Sequence, residues 1–62
     1  MLGNNLKRIR EAKNMSQGDI MRSLGCSRSY IGNIENGKTN PTLSTIAKLA
    51  KAVGVPLNKL LQ

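Results

Sequence analysis

The stretch Gln17–Asn36, QGDIMRSLGCSRSYIGNIEN, leaves this chain the least conformational freedom. Ile20, Met21 and Leu24 recur at i, i+1, i+4, and Ile31 and Ile34 at i, i+3, the spacings of apolar faces on two short helices. Only Leu24-Gly25-Cys26-Ser27 stands between those faces. Gly25 can take a positive φ at no steric cost, which lets the chain reverse direction within about three residues. Ser27 then offers an oxygen to the free amides that open the second helix. The pattern predicts helices over Gln17–Leu24 and Arg28–Glu35, the second closed by Asn36 with Gly37 at the positive-φ position. Cys26, in a turn that wants a small apolar residue, is expected to pack inward as a free thiol.

The flanking segments read as three more helices. Leu6 and Ile9, with Leu2 a turn earlier, supply the core face of a helix over Leu2–Lys13. Its start is weak, because Gly3, Asn4 and Asn5 are poor helix formers, and Asn4 could itself be a cap. Asn14 is a stop, and Met15 is placed to pack inward as a staple. Ser16 with Asp19 three residues on has capping-box spacing. After the polar loop Lys38-Thr39-Asn40-Pro41, Thr42 is expected to cap a fourth helix. There Leu43, Ile46, Ala47, Leu49, Ala50 and Val53 make a wide apolar stripe, with Lys48 and Lys51 opposite in solvent. Gly54 ends it. Pro56 suits the first position of a last helix in which Leu57, Leu60 and Leu61 fall at i, i+3, i+4.

Ten basic against three acidic residues give a net charge of +7 on 62 residues. So strong a positive field suits nucleic acid, an acidic protein or an anionic membrane surface. One tyrosine, no phenylalanine and no tryptophan leave few platforms for stacking unpaired bases, which favours duplex DNA over single strands. The apolar residues are consumed by the core, so no membrane-binding face is left, and no apolar run is long enough to span a bilayer. With one cysteine and no histidine, neither an internal disulfide nor a Cys/His zinc site is expected. No base stands ready to activate Cys26, and Asp19, Glu11 and Glu35 each have a structural place on a helix, so the expectation is not an enzyme, without cofactor or small-molecule ligand. A chain of this size is expected to be a single domain over residues 1–62, cytoplasmic in the absence of a signal-peptide pattern.

Arg10 lies one position beyond the Leu6–Ile9 face, and Glu35 one beyond the Ile31–Ile34 face. Both therefore border the same core, and the expectation is a buried or half-buried ion pair between them.

The chain resembles the helix-turn-helix domain of the phage repressor and Cro family, also called the XRE family. The residues that carry the resemblance are Leu6-Lys7-x-Ile9-Arg10, Ser16-Gln17, Leu24-Gly25-Cys26-Ser27, Tyr30-Ile31, Ile34-Glu35-Asn36-Gly37-Lys38, Pro41, and Ala47-Lys48-x-Ala50-x-Ala52-Val53-Gly54-Val55. They cover roughly residues 2 to 61. Met21 departs from the pattern: the family usually has alanine there, where the two motif helices cross. Either the crossing widens or the flexible thioether bends away.

The resemblance implies an all-α, five-helix bundle of the lambda-repressor-like type, with helices 2 and 3 forming the motif. It also implies a sequence-specific regulator of double-stranded DNA, with the third helix in the major groove. The family's base-contacting positions match Arg28, Ser29 and Asn33. Arginine suits guanine and asparagine suits adenine in that groove. Gln17, Ser27, Tyr30, Asn36, Lys38 and Thr39 are expected at the DNA backbone. Gly32 in the third helix would allow the helix backbone a close approach to DNA. A repressor acting on a two-fold operator as a homodimer is the leading reading. Val55, Pro56, Leu57 and Leu61 are the candidate dimer contact, because Leu57, Leu60 and Leu61 cannot all reach so small a core. The alternative is an antitoxin-type or other protein-binding module on the same fold. That would call for an added partner segment, and none follows the last helix before Gln62, so DNA alone is the expectation unless the chain is a piece of a longer repressor.

Overall fold

The computed structural model describes residues 2–62. Its helices are α1 (Leu2–Ala12), α2 (Gln17–Leu24), α3 (Arg28–Glu35), α4 (Leu43–Val53) and α5 (Leu57–Leu61), and no strand occurs among the described residues. Each boundary has a local cause. Asn14 takes φ 57°, a left-handed conformation open to asparagine, and ends the turn that follows α1. Ahead of α2 the capping box is complete: the Asp19 amide donates to Ser16 Oγ (3.1 Å) and the Ser16 amide donates to Asp19 Oδ2 (2.8 Å). Gly25, at φ 71°, sends its amide back to the Met21 carbonyl and turns the chain into α3. Ser27 Oγ accepts from the Tyr30 amide at 3.1 Å, and Thr42 Oγ1 accepts from the Thr45 amide at 3.3 Å.

The core is formed by Leu6, Ile20, Ile31, Ile34, Leu49, Ala50, Val53 and Leu60. Helix α1 packs on α3, α4 and α5, while α2 packs on α3 and α4. Met15, Cys26 and Tyr30 are half-buried against this core. Met21 is too, so its thioether joins the core rather than leaving the α2–α3 crossing.

Three expectations change. Helix α4 does not bury its whole apolar stripe: Leu43 is 64% exposed and Ala47 is exposed, because α1, α2 and α5 cover only the face bearing Leu49, Ala50 and Val53. Pro56 sits one position earlier than expected, as the residue preceding α5, in extended backbone at ψ 151°. The weak start of α1 is helical from Leu2, and Asn4 is inside it rather than capping it.

Tertiary contacts compensate for the poor helix formers there. Asn5 is buried, and its Nδ2 donates to the Leu60 carbonyl at 3.0 Å and also to the Gln62 carbonyl, satisfying carbonyls that α5 leaves unpaired at its end. Gly3 lies against the C-terminal carbonyls of α3. A Cβ at that position would come within 2.4 Å of the Ile34 oxygen and 2.8 Å of the Glu35 oxygen.

Candidate nucleic-acid interface

The exposed side of α3 follows from the buried one. Ile31, Ile34 and Glu35 face inward, so Ser29 and Asn33, one turn apart, share an exposed face. Asn36 and Lys38 are exposed just beyond, and Thr39 is half-buried beside the cleft between the start of α1 and the α3–α4 loop. That loop leaves α3 with two bonds: the Gly37 amide to the Ile34 carbonyl (3.1 Å) and the Lys38 amide to the Asn33 carbonyl (2.8 Å). Ser27 spends its acceptor on the Tyr30 amide, yet its hydroxyl proton remains available to an anion. The Tyr30 ring covers the core edge.

A buried polar cluster fastens the C-terminal end of α3. Arg10 donates from Nε to Glu35 Oε2 (2.7 Å) and from Nη2 to Oε1 (3.0 Å), and its Nη1 donates to the Met15 carbonyl (2.8 Å). The two side chains are 11% and 2% exposed. The hydrogen bonds to Glu35 raise the Arg10 pKa above its ordinary value. Gln17 Nε2 adds a third donor to Glu35 Oε1 at 3.0 Å. A carboxylate can only accept, so this bond sets the orientation of the Gln17 amide. One N–H of Nε2 is left for any outside anion. Sequence reasoning placed Gln17 at the DNA backbone and did not foresee its bond to Glu35.

At the other end of the motif, Arg28 does not simply extend outward from the first turn of α3. Its Nη2 lies 3.0 Å from where a Cβ of Gly18 would stand. Arg22 reaches the same place, with Nη1 at 3.5 Å, while its Nη2 bonds Asp19 Oδ1. Neither Gly18 nor Arg22 was singled out from the sequence. The available signal was a glycine in the first turn of a helix, where nothing local asks for one. Gly32 behaves differently: a Cβ there would meet only the Gln17 amide, at 3.8 Å. The position missing a side chain thus faces α2.

Asp19 is held below the usual carboxylate range, first by the hydrogen bond from the Ser16 amide, with further help from the Ser16 hydroxyl and Arg22. Ion pairs tie up only Arg10 and Arg22 among the described basic residues, which leaves the positive field of the others uncompensated. The corner proposed for self-association is partly open: Pro56 is exposed, Val55 and Leu57 are half-buried, and Leu61 is 52% exposed. No helix among the described residues is long and apolar enough to cross a membrane, and no cluster of side chains there could hold a metal ion.

A family model described as "Helix-turn-helix" matches residues 6–60. The control protein C.SmaI of Serratia marcescens is 39% identical over 61 residues, covering 98% of this chain and 73% of the relative. The ImmF control region 10 kDa protein of Bacillus phage phi105 is 36% identical over 59 residues, covering 95% of this chain and 66% of that one. Among solved structures, the restriction-modification controller protein C.AhdI from Aeromonas hydrophila superposes with a TM-score of 0.90 at 37% identity, over 95% of this chain and 89% of that one. The biofilm master regulator SinR, solved in complex with DNA, gives 0.88 at 28% identity, with full coverage of both chains.

Proposed function

The chain belongs to the helix-turn-helix family, of the XRE type, and we propose that it is a transcriptional regulator that represses by occupying a two-fold operator in duplex DNA. The observation that carries this reading is the α3 surface. Ser29 and Asn33 stand exposed on one helix face, on a helix fastened at its far end by the Arg10–Glu35–Gln17 cluster. A rigid helix with free polar side chains is what major-groove readout requires. Asn33 pairs with adenine through one donor and one acceptor. Ser29 contacts a neighbouring base edge. Asn36, Lys38, Thr39, the Ser27 hydroxyl, the Tyr30 hydroxyl and the remaining Gln17 N–H reach the flanking phosphates, which set register without reading sequence.

Two recognition helices must enter successive major grooves about 34 Å apart. Each copy carries one such helix, α3, so this reading takes two copies. The exposed Pro56 and Leu61, with Val55 and Leu57 beside them, supply an apolar contact for that pairing.

Duplexes selected from a random pool, followed by binding measurements across a salt series, test the reading. Asn33→Ala should cost about 1–3 kcal/mol on the preferred site, relax one position of each half-site and leave random duplex unaffected. Lys38→Ala should weaken every sequence alike and lower the salt slope by about one unit per bound chain. Inserting five base pairs between half-sites should abolish tight binding. Equal loss on preferred and random DNA for Asn33→Ala would overturn the assignment of the reading face, and unchanged affinity after the insertion would overturn the dimer.

A further inference from the structure

The convergence of two arginines on Gly18 is not used by base readout. Arg28 comes from α3 and Arg22 from α2, and their guanidinium nitrogens lie 3.0 and 3.5 Å from one point above the Gly18 backbone. They are therefore separated by no more than those two distances together. Like charges gather at this spacing at a cost unless an anion joins them.

The acids of the chain compensate only one of the two: Asp19 pairs with Arg22, and Arg28 has no ion-pair partner among the described residues. Asp19 Oδ1 is engaged by Arg22 and Oδ2 by the Ser16 amide. Both oxygens of Glu35 are taken by Arg10, one of them shared with Gln17. Glu11 forms no ion pair with either arginine among the described residues. Asp19 instead steers Arg22: bonded through Nη2, that guanidinium turns Nη1 toward Gly18 and Arg28.

We propose that Arg22 and Arg28 together grip a single backbone phosphate of the bound duplex, and that Gly18 is the residue that positions them, by leaving empty the space Arg28 occupies. The inference rests on the operator reading above and moves Arg28 from the base-reading set to the phosphate set. The chemistry suits it: a guanidinium presents paired donors that match phosphate oxygens, and two of them can address different oxygens of one group. Gly18 acts by steric permission. A single Cβ would stand 3.0 Å from Arg28 Nη2, tight but relieved by a small shift of a flexible side chain, and a longer side chain would fill the guanidinium's place.

The test is equilibrium binding to preferred and random duplex across a salt series, with thermal unfolding followed by circular dichroism to confirm folding. The variants are Gly18→Leu, Arg28→Ala, the combination of those two, and Arg22→Ala with Arg28→Ala. Arg28→Ala should weaken both duplexes alike, by about tenfold, the scale of a hydrogen bond to a charged group. Gly18→Leu should do the same, and adding it to Arg28→Ala should cause no further loss. Removing both arginines should lower the salt slope by about one unit per chain, as for one phosphate, and not by two. Should leucine disturb the melting curve, Gly18→Ala takes its place, with a smaller loss that again vanishes without Arg28.

Additive losses for Gly18→Leu and Arg28→Ala would overturn the positioning role. Relaxed preference at one base pair after Arg28→Ala, with random duplex unaffected, would overturn the phosphate role. Failure of the unaltered chain to bind any duplex would overturn the operator reading, and this inference with it.

Discussion

Replacing Arg10 by methionine should come close to unfolding the protein. The substitution removes the two donors to Glu35, at 2.7 and 3.0 Å, and the donor to the Met15 carbonyl at 2.8 Å. Glu35 stays where it is, 2% exposed, with the Gln17 amide as its remaining side-chain partner. An uncompensated charge of this kind costs about 3–5 kcal/mol when one member of a buried pair is removed. A chain of 62 residues, at roughly 0.05–0.15 kcal/mol per residue, has only about 3–9 kcal/mol to lose. The loss is therefore comparable with the whole stability. Urea titration by circular dichroism should show Arg10→Met with a much lower midpoint, or no folded baseline at room temperature. One control sharpens the assay. Adding Glu35→Leu should restore most of the stability, because an apolar pair of similar volume replaces the charge. A midpoint unchanged by Arg10→Met, or a deficit that Glu35→Leu leaves in place, would refute the reasoning.

Gly3→Ala should destabilise by about 1–3 kcal/mol, since its Cβ would press on the Ile34 and Glu35 oxygens and overpacked backbone yields only by moving α1 off α3; thermal melts would check this. Gly32→Ala should instead stabilise by about 1 kcal/mol through helix propensity, because within the protein its Cβ meets only the Gln17 amide; weakened DNA binding by the same variant would show that the duplex approaches this glycine closely. Asp19 has its folded-state pKa lowered, so its stabilising share is complete above the usual carboxylate range and disappears as pH falls through the folded value. The stability gap between the unaltered chain and Asp19→Asn, read from urea midpoints, should accordingly be present at neutral pH and close in acid.

The features legible in the amino-acid sequence were those decided within about one helical turn. Ser16 with Asp19, Ser27, Thr42 and the positive φ of Gly25 and Gly37 are short-range matters of an oxygen meeting an amide or a missing Cβ. The inward faces of α2 and α3 followed from apolar spacing, and the edge positions of Arg10 and Glu35 followed from those faces. The burial of Asn5 was not among them: from the sequence it read only as a poor helix former. Tertiary structure decided the rest. Periodicity shows which face of a helix is apolar but not how far another helix covers it, so Leu43 and Ala47 carried a core pattern and lie in solvent. Where a long side chain ends depends on what surrounds it across the fold. Gln17 turns to Glu35, eighteen positions away, and Arg28 folds onto Gly18 because α2 leaves that space open. Gly3 belongs with these, since its lack of a side chain has no meaning until α1 is laid against the carbonyl end of α3.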